Sequence, residues 1–328
     1  MYTPQQPGMT PYGTVGPYGA LGGASSLSPG LSSTKDKLHP FVRGQRRRLN
    51  VMAIFMSLFL PWFVFLITFA LLSFQLHHKQ AGLCYFIIVV IFVAIAVHTR
   101  VALAARTMVR VSGDPEREPS WMVFQSATLF LALVLGVVLG TVNFKLYTQT
   151  YHQVVALNEY HGIDPSRMRG QQLLDAGSIV FTADSKLDVS RSMGFRNKNI
   201  YCVAPITNTN ETVATYDFWA VGKDCCSGTR ADFRCDHSRS PRAHAALRLM
   251  KTRDRDYYRL AVQQAEATYN IKAAHPLFFE WQEDPAGVLE DWKVNSVRNF
   301  VIGLFAHFLL QSFLVAAATV AFSKIGNY

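Results

Sequence analysis

Charge is what this sequence has least of. Only 16% of its 328 residues are Asp, Glu, Lys or Arg, against about 25% in an ordinary soluble domain. The shortfall is concentrated: residues 49–78, 80–99, 119–144 and 299–323 carry no charged side chain at all. Each run is long enough to cross a hydrocarbon layer about 30 Å thick, which takes roughly 20 helical residues. A soluble enzyme, a coiled coil and a disordered tail protein are excluded. Catalytic signatures are lacking too. There is no GxSxG, no HExxH and no glycine-rich phosphate loop, so neither a cofactor nor a metal site is expected. His275 with Glu280, Glu283 and Asp284 is the one grouping of imidazole and acids, and it reads as surface residues or caps.

The net charge of +10 does not point to nucleic acid once it is divided along the chain. Residues 1–48 hold Lys35, Lys37, Arg43, Arg46, Arg47 and Arg48 against Asp36, whereas 145–298 carry 20 basic and 18 acidic residues. The basic cluster therefore flanks the first apolar run, where it marks a cytoplasmic side and attracts anionic headgroups of the bilayer. A nucleic-acid surface would instead need a basic stripe with base-reading partners.

The four runs predict four transmembrane helices: Leu49–Leu76, with Pro61 and Trp62 in its middle; Leu83–His98; Trp121–Phe144; and Val297–Phe322. The first is too long for a cleaved signal core and reads as a signal anchor. Arg100, Arg106, Arg110 and Arg117, around a break at Gly113-Asp114-Pro115, follow the second run, while Lys79 alone precedes it. By the positive-inside rule the N-terminus and this loop are cytoplasmic, and so is the C-terminus. The organisation is then a tail over 1–48, helices 1–3 over 49–147, an exoplasmic domain over 148–296, and helix 4 with a short tail over 297–328. The location is a plasma or endomembrane. Residues 1–34 contain no acid or base and are predicted disordered, with Pro-Tyr-Gly at 11–13 and again at 17–19.

The 148–296 segment reads as an α+β domain. Tyr147–Tyr160 continues the third helix; Ser178–Thr182, Asn199–Ile206 and Val213–Val221 are strand-like; Pro241–Ile271 is helical, with Tyr258, Val262, Ala265 and Tyr269 on one stripe. Aromatic residues in Pro276–Trp281, and Trp292, are expected at headgroup level. Basic residues from Arg239 to Arg259 suit acidic partners or anionic glycans, or simply a solvated face.

Four of the five cysteines, Cys202, Cys225, Cys226 and Cys235, fall in this segment, as does one glycosylation acceptor, Asn210 of Asn210-Glu211-Thr212. Adjacent Cys225 and Cys226 rarely bond each other, so each pairs with Cys202 or Cys235, and two connectivities remain. A zinc site using Cys225, Cys226 and Cys235 with His237 or His244 competes, but the usual two-residue ligand gap is missing. Cys84 is left as a free thiol.

Polar residues within the apolar runs are candidates for interhelical bonds: Gln125 and Asn143 in the third, His307 and Gln311 four apart in the fourth. They are expected to bond one another across the bundle. Gly136 and Gly140 form a GxxxG pair suited to close helix packing or to self-association.

The four-run layout, with Cys225-Cys226-Ser227-Gly228 in a large second outer loop, resembles the tetraspanins. That family has Cys-Cys-Gly, where this chain has Ser227 in third place, and its outer domain is helical. The resemblance implies a non-enzymatic membrane organiser that binds neighbouring proteins laterally. The segments Tyr201–Ile206, Phe218–Val221 and Arg259–Ile271 are also similar to uncharacterised multi-span proteins of unicellular algae and their relatives. The expected function is partner binding or membrane organisation through the exoplasmic domain, with protein partners in the membrane or exoplasmic space. A channel or transporter subunit is one alternative, and a lumenal redox or other enzyme a second.

Overall fold

The computed structural model describes residues 51–112, 120–208 and 213–325. The 1–48 tail, the Gly113-Asp114-Pro115 break, Asn210 and the last three residues lie outside them. Helices α1 (Val51–Ser73), α3 (Ala81–Ser112), α4 (Ser120–Asn143) and α7 (Pro285–Ile325) carry the four apolar runs, and each is long and apolar enough to cross a membrane. Their outward faces are apolar: Phe86, Val89, Val93, Phe305 and Phe313 are all exposed on the isolated chain, as lipid-facing residues would be. α1 runs unbroken through Pro61. α3 continues to Ser112, well past the expected His98. Between α1 and α3 lies one short turn of helix, α2 (Gln75–Lys79).

α1 is the hub of the bundle, and small residues bring α4 and α7 onto it. A Cβ at Gly136 would stand 2.9 Å from Thr68 Cβ, one at Gly140 2.7 Å from Leu72 Cβ, and one at Gly303 2.6 Å from Phe69 Cε1. These are closer than carbon atoms can approach, so hydrogen at those three positions sets the helix spacing. The GxxxG pair is thus occupied within the chain, against α1.

The polar residues also turn to α1 and α7 rather than to one another, which corrects the expected cross-bundle set. Gln311 Nε2 donates to Ser57 O at 2.6 Å, and Gln125 Nε2 to Met56 O at 3.5 Å. His307 stacks on Phe65 with ring centroids 4.1 Å apart. Asn143 Nδ2 donates to Ser296 O at 3.1 Å and lies 3.3 Å from Ser296 Oγ. The reason is that backbone carbonyls of a neighbouring helix are fixed acceptors, whereas two flexible side chains would have to be ordered together.

After Asn143 the chain makes a π-helical turn (Phe144–Thr148) and a short helix α5 (Gln149–Val155) before the sheet begins. Helix therefore ends at Val155, not Tyr160. Eight strands follow: β1 (Asn158–Ile163), β2 (Ala176–Phe181), β3 (Ser185–Leu187), β4 (Met193–Asn197), β5 (Asn199–Asn208), β6 (Phe218–Lys223), β7 (Ala245–Arg248) and, after helix α6 (Thr252–Tyr269), β8 (Leu277–Gln282). Their order is β1-β2-β7-β8-β6-β5-β3, with β4 on the side of β5. β1–β2 and β6–β8 are parallel and the other pairs antiparallel. β2 and β3 stand five places apart, roughly 24 Å in a flat sheet at about 4.8 Å per strand. Only residues 182–184 join them, a span of about 13 Å at most, so the sheet must curl.

Within the curl lies one apolar cluster, including Phe181, Cys202, Ile206, Phe218, Phe279 and Trp281. Strand alternation sends Tyr201, Val203, Trp219, Val221 and Phe278 to the other face, where α6 covers them with Tyr258, Ala261, Val262 and Ala265. The stripe read from sequence is therefore the buried face of α6, and Arg253, Arg255 and Gln263 are exposed. Two expectations are corrected. Pro241–Lys251 is not helical, because Ala245-Ala246-Leu247 is an interior strand covered on both faces, whose unbroken apolar run carries no alternation. The Pro276–Trp281 aromatics form β8 near the centre of the sheet, with Phe279 fully buried, and so cannot sit among headgroups.

Replacing Gly140 by Val pushes a branched side chain into Leu72 and Phe69 O. The variant, purified in detergent, is expected to lose about 1–3 kcal/mol of bundle stability, read as earlier thermal aggregation. Gly82→Val, where nothing lies within 4 Å, serves as the control.

Candidate functional site

The four cysteines meet inside the curl. Cys202 of β5 is bonded to Cys226, and Cys225 to Cys235, which selects one of the two open connectivities. Sulfurs of Cys202, Cys225 and Cys235 lie within 4.8 Å of one another, compact enough to hold a metal if they were thiolates, but they are joined in disulfides. Space for them comes from glycines. A Cβ at Gly222 would stand 2.6 Å from Cys225 Sγ, and one at Gly194 2.9 Å from Cys226 Sγ. Cys84 is a buried free thiol whose Sγ donates to Leu71 O at 3.5 Å.

The Cys225–Cys235 bridge anchors the loop that runs on to β7. Three successive turns shape it: Ser238 N–H donates to Cys235 O (3.0 Å), Ser240 N–H to His237 O (2.9 Å) and Ala243 N–H to Ser240 O (3.2 Å). Glu283 then clamps it, accepting from Ser240 Oγ at 2.9 Å and pairing with Arg242 Nε at 2.8 Å. Across from this loop stands β3, held by the Thr182–Ser185 hydroxyl contact at 2.9 Å. His244 joins the two walls. Its Nδ1 lies 3.1 Å from Ser185 O, and since a carbonyl only accepts, Nδ1 carries the proton.

Between β3 and the loop is a cavity of about 230 Å³, lined by Lys186, Ser238, Arg239, Ser240 and His244, with buried Trp281 at its apolar end. Lys186 and Arg239 are exposed and make no ion pair among the described residues. The Ser238 hydroxyl has no hydrogen-bond partner. No hydroxyl lining the cavity is bonded to an imidazole, so the activated nucleophile of covalent catalysis is not assembled here. The cavity offers cations and hydroxyl donors, the equipment for holding an anion.

The imidazole and acids grouped at 275–284 separate into structural roles. His275 N–H donates to Asp217, a buried carboxylate that also accepts from Gly170 N–H at 2.9 Å. Asp284 accepts from Gly287 N–H at 3.0 Å and caps α7, whose first residue is Pro285. Glu280 is half-buried on the α6 face, and desolvation with the nearby Asp236 charge pushes its carboxyl up, against Lys251. Sequence reading missed Asp217, Lys186 and the loop clamp at Glu283. None has a local motif, because each matters through residues more than 40 positions away.

Comparison with known protein families, curated proteins and solved structures finds no match to this chain. What stands is a class: four long apolar helices, with a disulfide-bonded sheet domain between the third and fourth, fit a helical membrane protein. The four-helix layout and bonded cysteines are compatible with a tetraspanin-like arrangement, while the extramembrane part is a sheet instead of helices.

A carboxyl raised in the folded state contributes its full stability below its unfolded value, about 4.3 for Glu, and that contribution is lost progressively as pH rises through the folded value. Glu280→Gln is therefore expected to raise the melting temperature near pH 7 and to bring no gain near pH 4. Differential scanning of both proteins across that range reads it, and an equal shift at both pH values would show that charge is not the cause.

Proposed function

We propose that the chain is a multi-pass membrane protein whose sheet domain faces the exoplasmic or lumenal side and acts as a non-enzymatic recognition module for partners on that side. The supporting observation is the pair of disulfides: Cys202–Cys226 staples the surface loop to β5 of the sheet, and Cys225–Cys235 closes the loop on itself. Such bridges persist in oxidising compartments, and they hold a binding loop in one conformation, so little ordering entropy is lost when a partner docks. Asn210 as a glycan acceptor and cytoplasmic termini belong to the same reading, as does kinship with membrane organisers of the tetraspanin kind. Lateral partners would meet the lipid-facing helices; exoplasmic ones would meet the 225–244 loop.

The test places a photocrosslinking residue at Arg230 in the exposed loop or at Gln263 on α6, in the full chain expressed in its own membrane. Discrete adducts from the loop position, lost when Cys225 and Cys235 are both changed to Ser, are the expected outcome. Alkylation without reductant should leave only Cys84 free. No adducts together with solute flux in reconstituted vesicles would replace this reading with a channel, and four alkylated domain cysteines would reverse the orientation.

A further inference from the structure

The cavity between β3 and the 237–244 loop carries a more specific inference, which rests on the recognition role just proposed. We infer that it is a binding site for a sulfate ester carried on a sugar ring, so that the domain recognises a sulfated glycan.

Charge comes first. Lys186 from β3 and Arg239 from the loop line the cavity from opposite walls, and neither is neutralised by an acid among the described residues. Glu283, which touches the lining residue Ser240, is already held by Arg242 and by the Ser240 hydroxyl. His244, fixed through Nδ1 on Ser185 O, contributes its ring to the same wall. Two cations lining one cavity without an ion pair among the described residues give it a positive potential that favours an anion.

Donor geometry comes second. Ser238, a lining residue, has a hydroxyl that lacks a hydrogen-bond partner. Ammonium, guanidinium and hydroxyl donors thus share one lining. A tetrahedral oxyanion with three terminal oxygens can accept from all of them, whereas a planar carboxylate has two oxygens in one plane. Size comes third. About 230 Å³ is the room of roughly seven or eight waters at about 30 Å³ each. That exceeds a bare inorganic ion and falls below the 300–1,000 Å³ of drug-sized ligand pockets. A single sulfated sugar is of that size, and its sulfate would be the group that meets the cations. The 225–235 disulfide gives the site its stiffness, since the loop wall starts at Cys235.

The experiment uses the full chain in nanodiscs of neutral lipid, so that anionic headgroups do not compete. Binding of a sulfated glycosaminoglycan hexasaccharide, its desulfated counterpart and a polyglutamate of matched charge is measured by interferometry. Tight binding of the sulfated probe alone is expected. The double variant Lys186→Ala/Arg239→Ala should weaken it by about tenfold or more, the equivalent of one strong charge-assisted contact. Lys186→Arg/Arg239→Lys, which keeps both charges, should retain it, as should Arg253→Ala/Arg255→Ala on the exposed side of α6. Equal losses from the cavity and α6 variants would mean diffuse charge attraction and overturn the site. Polyglutamate binding as well as the sulfated probe would overturn it in favour of an acidic protein ligand, and no binding at all would overturn it outright. If the loop crosslinks survive such a failure, the recognition role stands without this ligand; if flux or thiol chemistry replaces them, the underlying reading falls with it.

Discussion

Where the helices leave the apolar layer, the buried side chains of Asn143, Thr148 and Ser296 find polar partners in each other and in backbone carbonyls, and the placement of the sheet domain depends on how they do so. Thr148 Oγ1 donates to Ser73 O at 2.7 Å and lies 2.9 Å from Ser296 Oγ, while Asn143 reaches Ser296 from the preceding turn. All four residues are nearly inaccessible. Ser73 Oγ and Asn143 Oδ1 already lack partners there, and breaking the bonds that are made would leave further groups alone at about 1–3 kcal/mol each, so the set favours one rotation of α1, α4 and α7 about one another. The π-helical turn at Phe144–Thr148 belongs to this arrangement, because its extra residue brings Thr148 and Asn143 to the same neighbour. α5 and the charged first turns of α7 then continue directly into β1 and out of β8. The sheet is thereby attached at two places to a bundle that cannot easily swivel.

Above that join the domain is organised by a similar economy of space. Gly222, Gly194 and Gly170 each stand where a side chain would collide with a disulfide or with a neighbouring backbone. Two bridges and one buried aspartate, Asp217, connect segments that are far apart in sequence. The loop bearing Arg239 and His244 inherits its position from Cys235, from Glu283 and from the β3 wall, none of which is free to drift. Rigidity of the rim follows from the core, not from the rim's own short turns.

How much of this was legible in the sequence depended on whether a signal was local. Apolar runs without charge are local, and they marked all four long helices. The α6 stripe was legible for the same reason, since 3.6-residue periodicity needs only one helix and one buried face. The interior strands were not. β7 is four residues covered on both sides, and β8 is so apolar that it resembled an interfacial belt. A strand that is buried on both faces loses the alternation by which strands are read. The site was harder still. Basic residues between Arg239 and Arg259 were visible as a group, yet only Arg239 lines the cavity, and its counterpart Lys186 lies more than fifty positions upstream on the opposite wall. Interhelical partners failed for a related reason: Gln125 and Gln311 chose backbone carbonyls of α1, which sequence composition cannot distinguish from any others.

These two levels bear on each other through geometry. A recognition surface on a freely swinging tether samples many orientations above a membrane, and most of them are unproductive for a ligand that is also confined to a surface. Here the tether is a pair of helices joined through Thr148 and Ser296, and the loop rim is held by Cys235 and Glu283. Under the proposed recognition role, orientation entropy would be lost once, on folding, and not again on docking. The same logic fits the lack of an ion pair at Lys186 and Arg239 among the described residues: a rim held rigid from behind needs no internal ion pair to keep its shape, and under the proposed role those two cations would be available to a ligand.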